Sequence, residues 1–173
     1  YRRQRQMCIR DSFRPVGEDD TFEMEYWSLE QAKLGKGNAR PLARQVVLVT
    51  GGGGGIGAAT ARAFALQGAD LVVLDRDGSA AAAVAAACSP TALGLACDVT
   101  DPQQVRAAFA EVCGRFGGLD VVVSNAGAAW TGAIATLPEQ DLRACFELNF
   151  FAHQSVSQAA MAVFRAQGLG GQL

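Results

Sequence analysis

The chain has 173 residues, half of them hydrophobic, and its 17 acidic and 15 basic side chains leave a net charge of −2. This composition is too apolar for a disordered chain and rich enough for one folded domain, while so small a charge gives no bulk attraction to nucleic acid or to an anionic membrane. Gly, Arg, Asp or Gln breaks every apolar run short of the roughly 18 residues a membrane helix needs. The five cysteines (Cys8, Cys88, Cys97, Cys113 and Cys145) are odd in number and never spaced Cys-x-x-Cys. That argues against a disulfide framework or zinc knuckle and for a reducing, cytoplasmic setting.

Residues 1–12 carry four Arg and one Asp, show no periodicity and lack the apolar stretch of a secretory signal. The string from Arg5 to Ser12 resembles translated sequencing-adapter read-through, so the segment is expected to be a non-native artefact, with a genuine basic arm as the alternative. Without it the other 161 residues carry −5. Residues 13–41 read as a linker: a mixed acidic and aromatic stretch, Glu18 to Leu34, suits one short helix, and Gly35, Gly37 and Pro41 end it.

From residue 42 the pattern changes to short β-branched runs alternating with helix-length segments. The runs Val46–Thr50, Leu71–Asp75, Ala92–Cys97 and Leu119–Ser124 predict four buried parallel strands. Between them Ile56–Gln67, Ser79–Cys88 and Asp101–Phe116 predict crossover helices. The alanines of 80–87 suit a helix packed closely on a sheet. A long fifth helix, counting the one in the linker, is predicted from Pro138 or Glu139 to Gln167, with an irregularity near Asn149. Gly168 to Leu173 reads as a helix stop and the opening of a strand, so the fold is expected to be truncated after that helix. The predicted class is α/β, a doubly wound parallel sheet spanning 42–173.

The glycines of Thr50–Gly57 stand where a buried strand gives way to a helix. A nucleotide diphosphate needs a tight turn without side chains, bare backbone NH groups and the positive end of a helix dipole, which points to Gly51, Gly55, Ile56 and Gly57 and to a Rossmann-type fold. A flexible glycine turn is the bland alternative. A P-loop is excluded, because Gly57 is followed by Ala58 and Ala59 rather than Lys and Ser or Thr. Asp75 ends the second strand 20 positions after Gly55, a spacing that suits a carboxylate on an adenosine ribose. It would repel a 2′-phosphate and so favours NAD over NADP, although the neighbouring Arg76 is a possible phosphate partner. Asp98-Val99 and Asn125-Ala126-Gly127 close the third and fourth strands, on the sheet edge where ligands bind. His153 is the sole histidine and reads as a helix-surface or packing residue rather than a ligand, so no metal is expected.

These residues together resemble the short-chain dehydrogenase/reductase family, over about residues 42–173. Thr50–Gly57 matches its TGxxxGIG, Asp75 its acidic strand end, Asp98-Val99 its adenine-contacting pair, Asn125 to Gly127 its NAG motif, and Asn149 the helical Asn of its catalytic tetrad. The resemblance implies hydride transfer between a nicotinamide and a small alcohol or carbonyl substrate, with a Ser and a Tyr-x-x-x-Lys handling the proton, Asn149 holding a water in the relay, and a homo-oligomer formed through the long helix. The only tyrosines, Tyr1 and Tyr26, precede the fold, and neither Lys33 nor Lys36 has the required spacing. The chain is therefore expected to bind the cofactor while being inactive alone. Phe22 to Leu34 further resembles the segment joining the halves of bifunctional rhamnulose-1-phosphate aldolase/short-chain dehydrogenases, which implies a role in rhamnose catabolism with lactaldehyde as a substrate. Two alternatives stand beside this reading: a non-catalytic dinucleotide-binding or redox-sensing module, and, less favoured by these motifs, a Rossmann-like methyltransferase.

Overall fold

A computed structural model describes residues 40–173, and the expectations for residues 1–12 and for the linker helix lie outside them. Four parallel strands, β1 (Val46–Thr50), β2 (Asp70–Asp75), β3 (Leu93–Ala96) and β4 (Val121–Val123), form one sheet in the order β3-β2-β1-β4. The register sets Val47 beside Leu71 on one side and Val121 on the other. Around it run α1 (Gly55–Leu66), α2 (Gly78–Cys88), α3 (Pro102–Phe116), α4 (Glu139–Phe146) and α5 (Ala152–Gln167), the last two joined without a break by a π-helical segment, Glu147–Phe151.

Alternation along the strands divides the core. Val46 and Leu48 with Val72 and Leu74 point to the side packed by Val105, Phe109 and Val112 of α3 and by Val156, Ala160 and Phe164 of α5. Val47 and Val49 with Leu71 and Val73 point to the other side, against Ala58 and Ala61 of α1 and Ala81, Val84 and Ala85 of α2. A strand buried on both faces needs apolar residues at every position, which is why β1 reads as an unbroken run. The alanines of α2 allow close approach to the sheet: a Cβ on Gly94 of β3 would lie 2.6 Å from the Ala81 backbone.

Helix limits follow their caps. Asp101 Oδ1 accepts from the NH groups of Gln103 (2.8 Å) and Gln104 (3.4 Å), Pro102 supplies a preset first position, and Gly117 ends α3 in the left-handed region at φ 78°. Asp77 Oδ1 caps α2 in the same way, at 2.9 Å from Ser79 N and 3.1 Å from Ala80 N.

Two strand expectations need correction. β3 is not a buried strand: it is one edge of the sheet, and its residues are partly buried or exposed. β4 is shorter than the run Leu119–Ser124: the Leu119 backbone is taken by the Gln167 side chain, at 3.2 Å to its NH and 2.8 Å to its carbonyl, and past Val123 the backbone NH of Asn125 turns to the Thr50 side chain. After α5 the chain returns beside β4. Val122 N donates to Gln172 O at 2.9 Å and Gln172 N to Asp120 O at 2.8 Å, where the sequence predicted the opening of a strand.

Candidate active site

The turn from β1 into α1 is close-packed on one side and open on the other. Gly51 sits at φ +61°, and a Cβ there would lie 2.8 Å from Ala126 Cα. A Cβ on Gly57 would run into Gly51 O and come within 2.7 Å of Asn125 Nδ2, whereas Gly54 and Gly55 have no atom within 4 Å of that position. Gly54 is the N-cap of α1 and brings no side chain to it, and the first turn holds no acidic residue. The NH groups of that first turn therefore lack the carboxylate caps that α2 and α3 possess, and the helix end keeps its positive partial charge.

Asp75 closes β2 beside this turn. Its Oδ2 accepts from Gly53 N at 2.8 Å and its Oδ1 from Asp77 N at 3.0 Å, which fixes the carboxylate while leaving lone pairs for further donors. Asp98, after β3, folds into a tight local turn, its Oδ1 accepting from Thr100 N (2.9 Å) and Thr100 Oγ1 (2.7 Å), and its own NH donates to Gln104 Oε1 (3.0 Å). The capping carboxylates are held below their usual range: Asp77 by the Ser79 hydroxyl and then the NH groups of Ala80 and Ser79, Asp101 by the Gln103 NH and then the Gln104 side chain. Cys97, 2 % exposed, is pushed up to about 11 by burial and then by the nearby Asp98 and Asp101 charges, so its thiol stays protonated.

Beyond β4 the chain is held from two sides. Thr50, fully buried, accepts through Oγ1 from Asn125 N at 2.9 Å and Ala126 N at 3.1 Å, while Asn125 Nδ2 donates to Thr50 O (3.0 Å) and Gly51 O (3.2 Å). On the helix side Asn149, within the π segment, accepts from Ala128 N at 3.1 Å and donates to Ala128 O at 2.7 Å and Cys145 Sγ at 3.2 Å. The sequence reading gave Thr50 no role of its own and took His153 for a helix-surface or packing residue rather than a ligand. His153 Nδ1 is in fact 2.6 Å from Ser124 Oγ.

All ten residues proposed from sequence for the cofactor (Gly51, Gly55, Ile56, Gly57, Asp75, Asp98, Val99, Asn125, Ala126 and Gly127) line one cavity of about 740 Å³ at the carboxyl ends of the strands. Arg76, Cys97, Trp130, Glu147 and Leu148 share it. Asn149 is not part of the lining; it stands behind the wall, gripping Ala128. Trp130 is 36 % exposed and faces this space. Among the described residues no group of three His, Cys, Asp or Glu is placed to hold a metal, and no helix is long and apolar enough to cross a membrane.

A parallel sheet whose strand order reverses between β1 and β4, with its cavity above that reversal, defines a Rossmann-like α/β protein. Residues 45–172 match the family described as short chain dehydrogenase, and the chain belongs to that family. Residues 5–34 match a second family, aldolase class II, second domain. Galactitol 2-dehydrogenase of Agrobacterium fabrum is 34 % identical over 132 residues, covering 76 % of this chain and 52 % of that protein. L-fucose dehydrogenase of Bos taurus is 38 % identical over 127 residues, 71 % of this chain and 46 % of that one. The oxidoreductase YuxG of Bacillus subtilis is 36 % identical over 123 residues, which make up 68 % of this chain and 18 % of that longer protein. A crystal structure of a short-chain type dehydrogenase/reductase from Mycobacterium marinum superposes with a TM-score of 0.73 at 34 % identity, covering 77 % of this chain and 54 % of that one. The chain thus spans about half the length of most of these relatives, and less of YuxG.

Proposed function

We propose that this chain is the dinucleotide-binding part of an NAD-dependent oxidoreductase acting on a small hydroxy or carbonyl substrate. One observation carries the reading: of α1, α2 and α3, α1 alone begins without a side-chain cap, and its bare first turn lines a cavity that also contains the fixed carboxylate of Asp75. A diphosphate is the natural complement of the first feature and a ribose hydroxyl of the second. The cradle formed by Gly51, Gly55, Ile56 and Gly57 has no side chain to occlude it except the exposed Ile56, so the residues present fit such a group. Asp75 would orient the adenosine ribose and stand against a 2′-phosphate, which favours NAD. Asp98 and Val99 would flank the adenine, and Asn125, Ala126 and Gly127 would form the wall on the β4 side. The nicotinamide, when bound, supplies the hydride chemistry. The chain's own contribution is position and field. Asn149 has both amide protons committed and one lone pair of Oδ1 remaining for the water assigned to it.

The proposal extends to a parent protein carrying an aldolase half, with a small hydroxyaldehyde such as lactaldehyde as substrate. It is supported by the aldolase match at residues 5–34 and by the length of YuxG beyond its matched part. A cytoplasmic homo-oligomer is proposed as well: Leu142, Phe146 and Phe150 recur every four residues along the α4–π helix and are all about half exposed. Fluorescence titration with NADH and NADPH, alongside calorimetry with S-adenosylmethionine, tests the central reading. NADH should bind, S-adenosylmethionine should not, and Asp75→Ser should shift the NADH/NADPH preference at least tenfold toward NADPH. A chain that ignores both dinucleotides refutes it.

A further inference from the structure

The only histidine in the chain is not among the residues that line the cavity, and among the described residues it belongs to no group of three His, Cys, Asp or Glu placed to hold a metal. Its Nδ1 lies 2.6 Å from Ser124 Oγ, at the short end of the range for a hydrogen bond, and both groups are partly buried. β4 ends at Val123, so from Ser124 onward the backbone leaves the strand ladder and must find other partners. Thr50 supplies them from the β1 side, to Asn125 and Ala126. From the helix side, among the described residues, hydrogen bonds reach this stretch from two side chains four positions apart, Asn149 to Ala128 and His153 to Ser124. The two contacts fall at the ends of a stretch in which Asn125, Ala126, Gly127 and Ala128 line the cavity.

We infer that His153 is a positioning residue: through Ser124 it clamps one end of the 124–128 segment while Asn149 clamps the other, so that the cavity wall on the β4 side is set before a dinucleotide arrives. The inference rests on the dinucleotide reading above for its benefit, though the clamp itself does not. Without His153 the segment keeps its Thr50 bonds and its Ala128 end but loses the anchor nearest the strand. Part of any binding energy then goes into ordering the wall.

The full 173-residue chain offers a direct test, because its ring nitrogens give one pair of histidine ¹⁵N signals. Ser124→Ala should move both. His153→Phe should weaken NADH binding about 5-fold, the loss expected from one net hydrogen bond, and should speed amide exchange at Asn125, beside the lost anchor, while Ala128 stays protected by Asn149. His153→Asn, which can place an amide atom where Nδ1 stands, should bind NADH within twofold of the wild type. Ring signals unmoved by Ser124→Ala, or NADH affinity and amide protection unchanged in His153→Phe, would overturn the clamp. If the wild type binds no NADH, the dinucleotide reading fails and the exchange rates still decide the clamp. Should His153→Phe not fold, Ser124→Ala and His153→Asn supply the same comparison.

Discussion

Replacing Thr50 by Val tests the claim that one buried hydroxyl joins the ends of β1 and β4. The swap keeps side-chain shape and removes the acceptor for two backbone NH groups, Asn125 at 2.9 Å and Ala126 at 3.1 Å, at a site with no solvent exposure of its own. Leaving a buried donor unsatisfied costs about 1–3 kcal/mol. The two amides here are only partly buried, so the low end applies to each and the sum is about 2–3 kcal/mol. The bond that the hydroxyl donates to Val123 O is long at 3.5 Å and adds little. For a domain of this size the loss corresponds to a fall in Tm of roughly 8–12 °C. Thermal and urea unfolding followed by far-UV circular dichroism, on the wild type, Thr50→Val and Thr50→Ser, measures it. Serine retains the hydroxyl and gives up one methyl, so it should cost about 1 kcal/mol. Thr50→Val within about 0.5 kcal/mol of the wild type, a change typical of a neutral surface substitution, or Thr50→Ser as damaging as Thr50→Val, refutes the reasoning.

Gly57→Ala and Gly54→Ala should part company. The first drives a methyl into Gly51 O and the Asn125 amide and should abolish NADH binding and lower the urea midpoint, whereas the second meets nothing within 4 Å and should leave the midpoint nearly unchanged. Asp101 has its pKa depressed in the folded state, so its stabilising effect is present above the unfolded carboxylate value of about 3.9 and is lost as pH falls through the lower folded value. Asp101→Asn should accordingly be less stable than the wild type at pH 7, and urea titrations should show the gap closing below about pH 4; a gap constant with pH sinks the assignment. Cys97, buried and shifted to about 11, should resist iodoacetamide at pH 8 in the native protein and react once urea unfolds it, as peptide mass mapping would show.

Local chemistry made most of the fold legible. β1 was placed to the residue because both faces of Val46–Thr50 are buried and nothing else competes for that pattern. The starts of α2 and α3 came within a residue because Asp77 and Asp101 mark them. β4 and β3 were misjudged for a different reason. The backbone at the ends of β4 is met by the side chains of Gln167 and Thr50, tens of residues away, and the exposure of β3 goes with its place at one edge of the sheet, which no run of four residues encodes. The site divides along the same line. Glycines and strand-end acids announce themselves by spacing, so all ten candidates fell around one cavity. Thr50 and the Ser124–His153 pair act through partners 29 to 76 positions distant and leave no such trace.

The π-helical segment lets one continuous helix answer to two masters. Within the segment, rotation about the axis is dictated by Asn149 holding Ala128; downstream it is dictated by the stripe Ala152, Val156, Ala160 and Phe164, which must face the core. An ordinary α-helix would lock these orientations together, since each residue advances by about 100°. The wide turn inserts one extra residue and so acts as a phase adjuster. Deleting Phe150 would restore a regular helix and swing one of the two faces out of alignment, which makes the length of this short stretch less tolerant of change than its composition.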